Sequence, residues 1–329
     1  MKKRKPVCLI CSEDGFDMCV IHNLKKMYSK LGFSVIISKK PSECNLLVVA
    51  RGSDLHIDES FSRKIPIHIY NYVGNDISNI INKVSNNPYH VLAPSLDLLK
   101  YNHVEGNRGT ILFPPVYPED WVNEKAINMK YIKYDLVHIG NKKIADGACE
   151  DKYTKALDNL VNQGIVYVWG RGWQKKDLGN KYCGSTSVFN VKNIYSRTKF
   201  ALGLMYPFQR KLGTFSGRFW QAPLNGAILL SEPNRYIGII PGIIESDLVN
   251  IETIISKKFS RKEISQTSIT YWNKKTLETE YKVKELLDIS PPSHDRIDNI
   301  FIKEIIDKSL HKLRVKKANY KHYLSNLIG

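Results

Sequence analysis

The sequence predicts an α/β chain of two doubly wound, Rossmann-like domains facing a cleft. Three observations carry that expectation. Short apolar runs alternate with helical periodicity from the start of the chain, the pattern of strands joined by crossover helices. The runs are nearly continuous rather than alternating, as strands are when both faces of a parallel sheet are covered. The rhythm breaks at the proline-rich "NRGTILFPPVYPEDW" (107–121), which suits an interdomain connection, and then restarts.

Taken in order, "PVCLICS" (6–12) is the first strand. Val20, Ile21, Leu24, Met27, Tyr28 and Leu31 follow at helical spacing, with Gly32 placed to stop the helix. "SVIIS" (34–38), "NLLVVA" (45–50), "IPIHIYN" (65–71) and "YHVLAPS" (89–95) supply the other strands of a first domain, 1–125. In a second domain, 126–295, "YDLVHIG" (134–140) is a strand ending in glycine. Tyr153, Ala156, Leu157, Leu160 and Val161 form a helix face stopped near Gly164. "IVYVWG" (165–170) and "FALGLMY" (200–206) are strands, and a helix over 217–225 leads into the strand "AILLSE" (227–232). The tail, 296–329, reads as a basic helix with Ile302, Ile306, Leu310 and Leu313 on one side.

At 329 residues the chain can bury two cores, and 43% apolar residues exclude a disordered class. No run approaches the ~20 apolar residues of a membrane span. The basic opening "MKKRKPVCLICS" is a strand rather than a signal peptide, because "VCLIC" is short and the acidic "SEDGFD" follows. Cys8 and Cys11 have CxxC spacing but fall in that strand, and no second pair accompanies them. Reduced thiols and no metal are expected. Forty-nine Lys and Arg against 32 Asp and Glu give a formal charge of +17. That excess points to an anionic partner: nucleic acid, an anionic membrane surface or a phosphorylated small molecule.

Ligands of doubly wound folds bind at the carboxyl ends of the strands, so the loops there should carry the chemistry. The chain has no GxGxxG after its first strand, no GxxxxGK[ST] and no GxSxG, which argues against dinucleotide, P-loop and nucleophile-elbow chemistry. Three loops of the second domain look built for phosphate instead. "HIGNKK" offers Gly140, Lys142 and Lys143. "VWGRGWQ" sets Arg171 between Gly170 and Gly172. "GTFSGRFWQ" opens a helix at Ser216 and Gly217, with Arg218 and Gln221 in its first turns. Backbone N–H groups at a helix start, with a guanidinium beside them, make an anion site.

On these residues the second domain resembles the donor-binding, C-terminal half of GT-B glycosyltransferases. "GRFWQAPLNGAILLSE" is similar to the pattern of group 1 and CgeB-like enzymes and of the phage DNA β-glucosyltransferase, and "YDLVHIG" and "VYVWGRGW" fit in the same order. The resemblance implies a metal-independent transfer from a nucleotide sugar (UDP-, GDP-, TDP- or CMP-linked), with no further cofactor. Arg218 matches the arginine on the donor diphosphate, and Lys142 or Lys143 a basic phosphate ligand. Gln221 departs from the family: a glutamate usually holds the ribose there, and an amide binds a diol more weakly than a carboxylate does. A base is expected from the first domain. Asp14 and Asp17, after the first strand, and Asp76, after the fourth, are the candidates, although Asp17 also suits a helix cap and Asp76 a turn. The expected acceptor is a glycan or lipid-linked hydroxyl of bacterial surface polysaccharide, reached by a cytoplasmic enzyme peripheral to the inner membrane face. The same charge suits a DNA-modifying glucosyltransferase or a non-catalytic nucleotide- or nucleic-acid-binding α/β protein.

Overall fold

The computed structural model describes residues 6–10, 17–38, 43–50, 65–72, 76–128, 132–140, 152–173, 178–205, 207–214 and 216–287. Asp14, Lys142, Lys143, Cys11 and the basic tail lie outside them.

The apolar runs form two all-parallel sheets. The first takes β1 (Pro6–Ile10), β2 (Ser34–Ser38), β3 (Leu46–Val49), β4 (Ile67–Tyr70), β5 (Tyr89–Ala93) and β6 (Gly109–Ile111) in the spatial order β2-β1-β3-β4-β5-β6. The second takes β7 (Tyr134–Ile139), β8 (Tyr167–Trp169), β9 (Thr198–Leu202), β10 (Ile228–Ser231) and β11 (Ile243–Glu245) in the order β11-β10-β9-β7-β8. Counted within its own half, the first sheet runs 2-1-3-4-5-6 and the second 2-1-3-4-5, so one five-strand order is used twice and the first sheet adds β6 at its edge. Each order reverses at one place, between β1 and β3 in the first sheet and between β7 and β9 in the second. Such switch points open a crevice outside the strands' carboxyl ends.

The helices are α1 (Asp17–Lys30), α2 (Ser78–Val84), α3 (Leu96–Tyr101), α4 (Pro118–Trp121), α5 (Glu124–Asn128), α6 (Lys152–Asn162), α7 (Val191–Tyr195), α8 (Pro207–Leu212), α9 (Arg218–Leu224), α10 (Ile251–Ser256) and α11 (Arg261–Leu286). Gly32 (φ +90°) and Gly164 (φ +66°) end α1 and α6 in the left-handed conformation that glycine tolerates. β3, β4 and β10 are buried along their whole length, as central parallel strands should be. β2 is an edge strand that leaves Ile36 and Ile37 exposed.

The proline-rich connection differs from expectation in one respect: its first residues make β6, paired with β5. The rest wraps against α11. Val116 N–H donates to Thr276 Oγ1 at 2.8 Å, and the Tyr117 hydroxyl donates to Glu280 at 2.6 Å. Asp120 then accepts from Lys26 of α1 at 2.7 Å and lies 3.0 Å from His22 Nε2, while its carbonyl accepts from Lys192 of α7. One apolar core runs through both halves, from Leu9 and Tyr28 past Trp121 and Trp220 to Trp272. Trp220, set edge-on 5.0 Å from Trp121, belongs to this core. Cys8, Cys19 and Cys44 are buried, and Cys183 is exposed.

Candidate functional site

The carboxyl ends of β7 and β9 meet at the second switch point. Their pairing sets Val137 opposite Ala201; carried on three residues, Gly140 comes level with Leu204. Gly140 is pinned on both sides: its N–H donates to the Trp169 carbonyl at 2.8 Å, and its carbonyl accepts from Trp173 Nε1 at 2.8 Å. The Leu204 carbonyl accepts from Arg218 Nη1 at 3.0 Å, which brings the guanidinium from the start of α9 to the strand ends. A β-carbon on Gly140 would stand 3.1 Å from Arg218 Nη2 and 2.9 Å from His138 Nε2. Glycine is what lets both nitrogens approach this strand end.

Buried polar atoms without partners gather around Arg218 in the chain and in space. Thr214 Oγ1, Ser216 Oγ and Gln221 Nε2 lie within one turn of it in sequence. The Tyr195 hydroxyl and the His138 ring both feel its charge. Burial pushes Tyr195 up and the Arg218 charge pulls it partly back; burial, then the same charge, pushes His138 down to about 3. Buried polar atoms are normally paired, so an unsatisfied set beside a guanidinium marks a place for a polar ligand. The amides of Phe219, Trp220 and Gln221 are already bonded to the Ser216 and Gly217 carbonyls. The side chain of Arg218, more than the backbone of α9, therefore provides the cationic character here.

Arg218 makes no ion pair among the described residues, whereas the neighbouring Arg210 does. Arg210 Nη1 donates to Glu232 at 3.1 Å and to the Met205 carbonyl at 2.8 Å, and Met205 N–H also donates to Glu232. Glu232 is fully buried at the end of β10; burial raises its carboxyl, with those hydrogen bonds opposing. This pair shapes the Leu204–Met205 backbone that holds Arg218. Nothing in the sequence reading pointed to Glu232, which closes an apolar run and looks like its last surface residue.

Of the other expected residues, Gly170 (φ +149°) and Gly172 (φ +83°) turn the chain after β8 in backbone conformations that L side chains rarely adopt, and Arg171 between them is exposed. Gly217 precedes α9 as its N-cap. Gln221 is buried. In the first half Asp17 begins α1. Asp76 is exposed, and its Oδ1 accepts from the Ser78 N–H at 2.9 Å and hydroxyl at 2.6 Å, which hold the carboxyl below its ordinary range. Among the described residues no three His, Cys, Asp or Glu side chains come together as a metal site, and no helix is long and apolar enough to cross a membrane.

No protein-family model matches the sequence, and no curated protein matches it. Solved structures do. The crystal structure of AviGT4, a glycosyltransferase involved in Avilamycin A biosynthesis, matches with a TM-score of 0.58 at 11% identity, over 86% of this chain and 97% of its own. An α-glucosyltransferase in complex with UDP and a 13-mer DNA containing an HMU base matches at 0.56 and 11%, over 87% and 99%. The T4 phage BGT, in complex with its UDP-glucose substrate, matches at 0.52 and 14%, over 86% and 99%. The chain has the GT-B fold. Each of these GT-B neighbours is covered almost end to end, so the likeness takes in both sheets of the chain.

Proposed function

We propose that the protein is a glycosyltransferase that moves a sugar from a nucleotide sugar to a hydroxyl acceptor, with the donor held at the carboxyl edge of the second sheet. Arg218 carries this reading: a half-buried guanidinium at a switch point, positioned by a backbone carbonyl and left without a carboxylate among the described residues. Keeping a cation out of water without a counter-ion is unfavourable, so an anion arriving with the ligand would complete the site. The GT-B neighbours solved with UDP or UDP-glucose support a nucleotide sugar as that anion's source.

In this reading Arg218 stabilises charge on the departing diphosphate without the help of a metal ion. Arg171, Ser216 and Gly217 are assigned to the same phosphate, and Lys142 and Lys143 join them on the strength of the sequence resemblance alone. Gln221 faces the ribose with a neutral amide. The base is a carboxylate of the first half, Asp14, Asp17 or Asp76, of which Asp76 already accepts two hydrogen bonds from Ser78. The GRFWQAPLNG segment supports a likeness of the donor half to group 1 and CgeB-like enzymes. The acceptor is a glycan or lipid-linked hydroxyl of surface polysaccharide synthesis, approached from an anionic membrane face by a chain of charge +17. Duplex DNA is the second reading, favoured by the likeness to the α-glucosyltransferase solved on DNA.

The test is nucleotide release from a panel of nucleotide sugars, with wild type and Arg218→Ala, in the presence of DNA or of lipid-linked glycan. Transfer from one donor, reduced about 100-fold or more by the substitution, supports the assignment. Turnover untouched by Arg218→Ala rejects it. DNA affinity falling steeply between about 50 and 200 mM salt would select the second reading, provided DNA also accepts the sugar.

A further inference from the structure

His138 sits in β7, at the strand end that carries Gly140, and its side chain is buried with 5% exposure. Nδ1 has no hydrogen-bond partner. Nε2 points the other way: it flanks the position of the missing Gly140 β-carbon at 2.9 Å, with Arg218 Nη2 on the same position at 3.1 Å. The imidazole and the guanidinium therefore converge on one spot at the strand ends, over the residue that has no side chain to fill it. Trp173 fixes the ring from one side, edge-on at 5.8 Å and 74°, and its own N–H is held by the Gly140 carbonyl.

The packing also decides where the imidazole proton resides. A buried N–H without an acceptor is rarer and costlier than an acceptor lone pair without a donor. With nothing to receive a proton from Nδ1, the favoured tautomer protonates Nε2. Nε2–H is then a donor aimed where Arg218 Nη2 is aimed.

We propose that His138 is a ligand-binding residue whose Nε2–H joins Arg218 on a phosphoryl oxygen of the donor diphosphate. The inference rests on the donor-site reading above and adds to it a residue from inside an apolar strand. Because burial keeps the ring neutral, it contributes a hydrogen bond without setting a second positive charge against the guanidinium. The other polar groups around the spot, Tyr195 from α7 and Arg218 from α9, are compatible with that neutral state.

The experiment has two arms on the full chain, with UDP and uridine as probes. Imidazole ¹⁵N–¹H spectra of the wild type should show the His138 proton on Nε2 and a shift of that signal when UDP is added. A proton on Nδ1 overturns the proposal without any variant having to fold. In titrations, His138→Leu should weaken UDP about tenfold, as expected for a hydrogen bond to a charged acceptor. His138→Gln, whose amide nitrogen reaches the place of Nε2, should stay within about threefold of wild type, and neither should change uridine binding. UDP binding unchanged in His138→Leu, or uridine and UDP weakened alike in both variants, would make the ring structural. If wild type and Arg218→Ala both fail to bind UDP, GDP, TDP and ADP, the donor site itself is refuted, and the role of His138 with it.

Discussion

His68 and His138 are both neutral rings in the folded chain, each pushed down to about 3: His68 by burial and then by His90, His138 by burial and then by the charge of Arg218. In the unfolded chain both recover a pKa near 6.5, so the unfolded state binds the extra protons as pH falls. Their stabilisation is present above about pH 6.5 and is lost below it, at about 1.4 kcal/mol per pH unit for each ring down toward pH 3. Urea unfolding between pH 7.5 and 5 should show this slope, and His68→Gln should remove about one proton from it; a flat profile would mean that the rings charge freely in the fold. Gly140→Ala tests the strand end separately. Its methyl would press on His138 Nε2 and Arg218 Nη2, so nucleotide affinity should fall at least tenfold while stability drops by only about 1–3 kcal/mol. Arg218 and Gln221 were legible in the sequence because a glycine-rich turn announces them. Glu232 and His138 were not: both are embedded in apolar strands, and Glu232 meets Arg210 only through the fold.

α9 links the candidate site to the connection between the two sheets. Arg218 stands at its start, and Asn225 caps its end. The Asn225 amide donates to the Trp121 carbonyl at 2.9 Å and to the Gln221 carbonyl at 2.8 Å, and its oxygen accepts from Asn123 N–H at 2.9 Å. Arg261, at the start of α11, directs Nη2 to the Ser196 and Asn225 carbonyls, where α7 and α9 end. Two helix C-termini thus offset a buried cation that has no carboxylate partner among the described residues. Asn225→Ala should destabilise the chain by about 2–3 kcal/mol, because it strands buried backbone groups of the connection, and a denaturant midpoint checks it. A loss below about 0.5 kcal/mol would show that water replaces the amide. α11 explains why some elements escaped the sequence. Its buried face includes Ser265, Thr276 and Thr279, small polar residues that bond carbonyls across the interface or within the helix, together with Ser268, so no apolar stripe marks its 26 residues. β6 and β11 have three residues each, too few to show a period.

Taken together, the two sheets share one strand order over five strands, and the alternation of apolar runs and helices was enough to predict two parallel sheets, since a covered parallel strand can hardly be written otherwise. The acceptor was not legible in the same way. A charge of +17 is a property of the surface and fits DNA as readily as an anionic membrane. The donor is the firmer half of the account, because it depends on one guanidinium. The decisive measurement is a thermal-shift series with UDP, GDP, TDP, CMP and ADP on wild type and Arg218→Ala. A ligand that binds only the folded chain raises its melting temperature by mass action. One of these nucleotides should stabilise the wild type and not Arg218→Ala, with both proteins melting alike when no nucleotide is added. Equal shifts in the two proteins, or none in the wild type, would contradict the donor assignment.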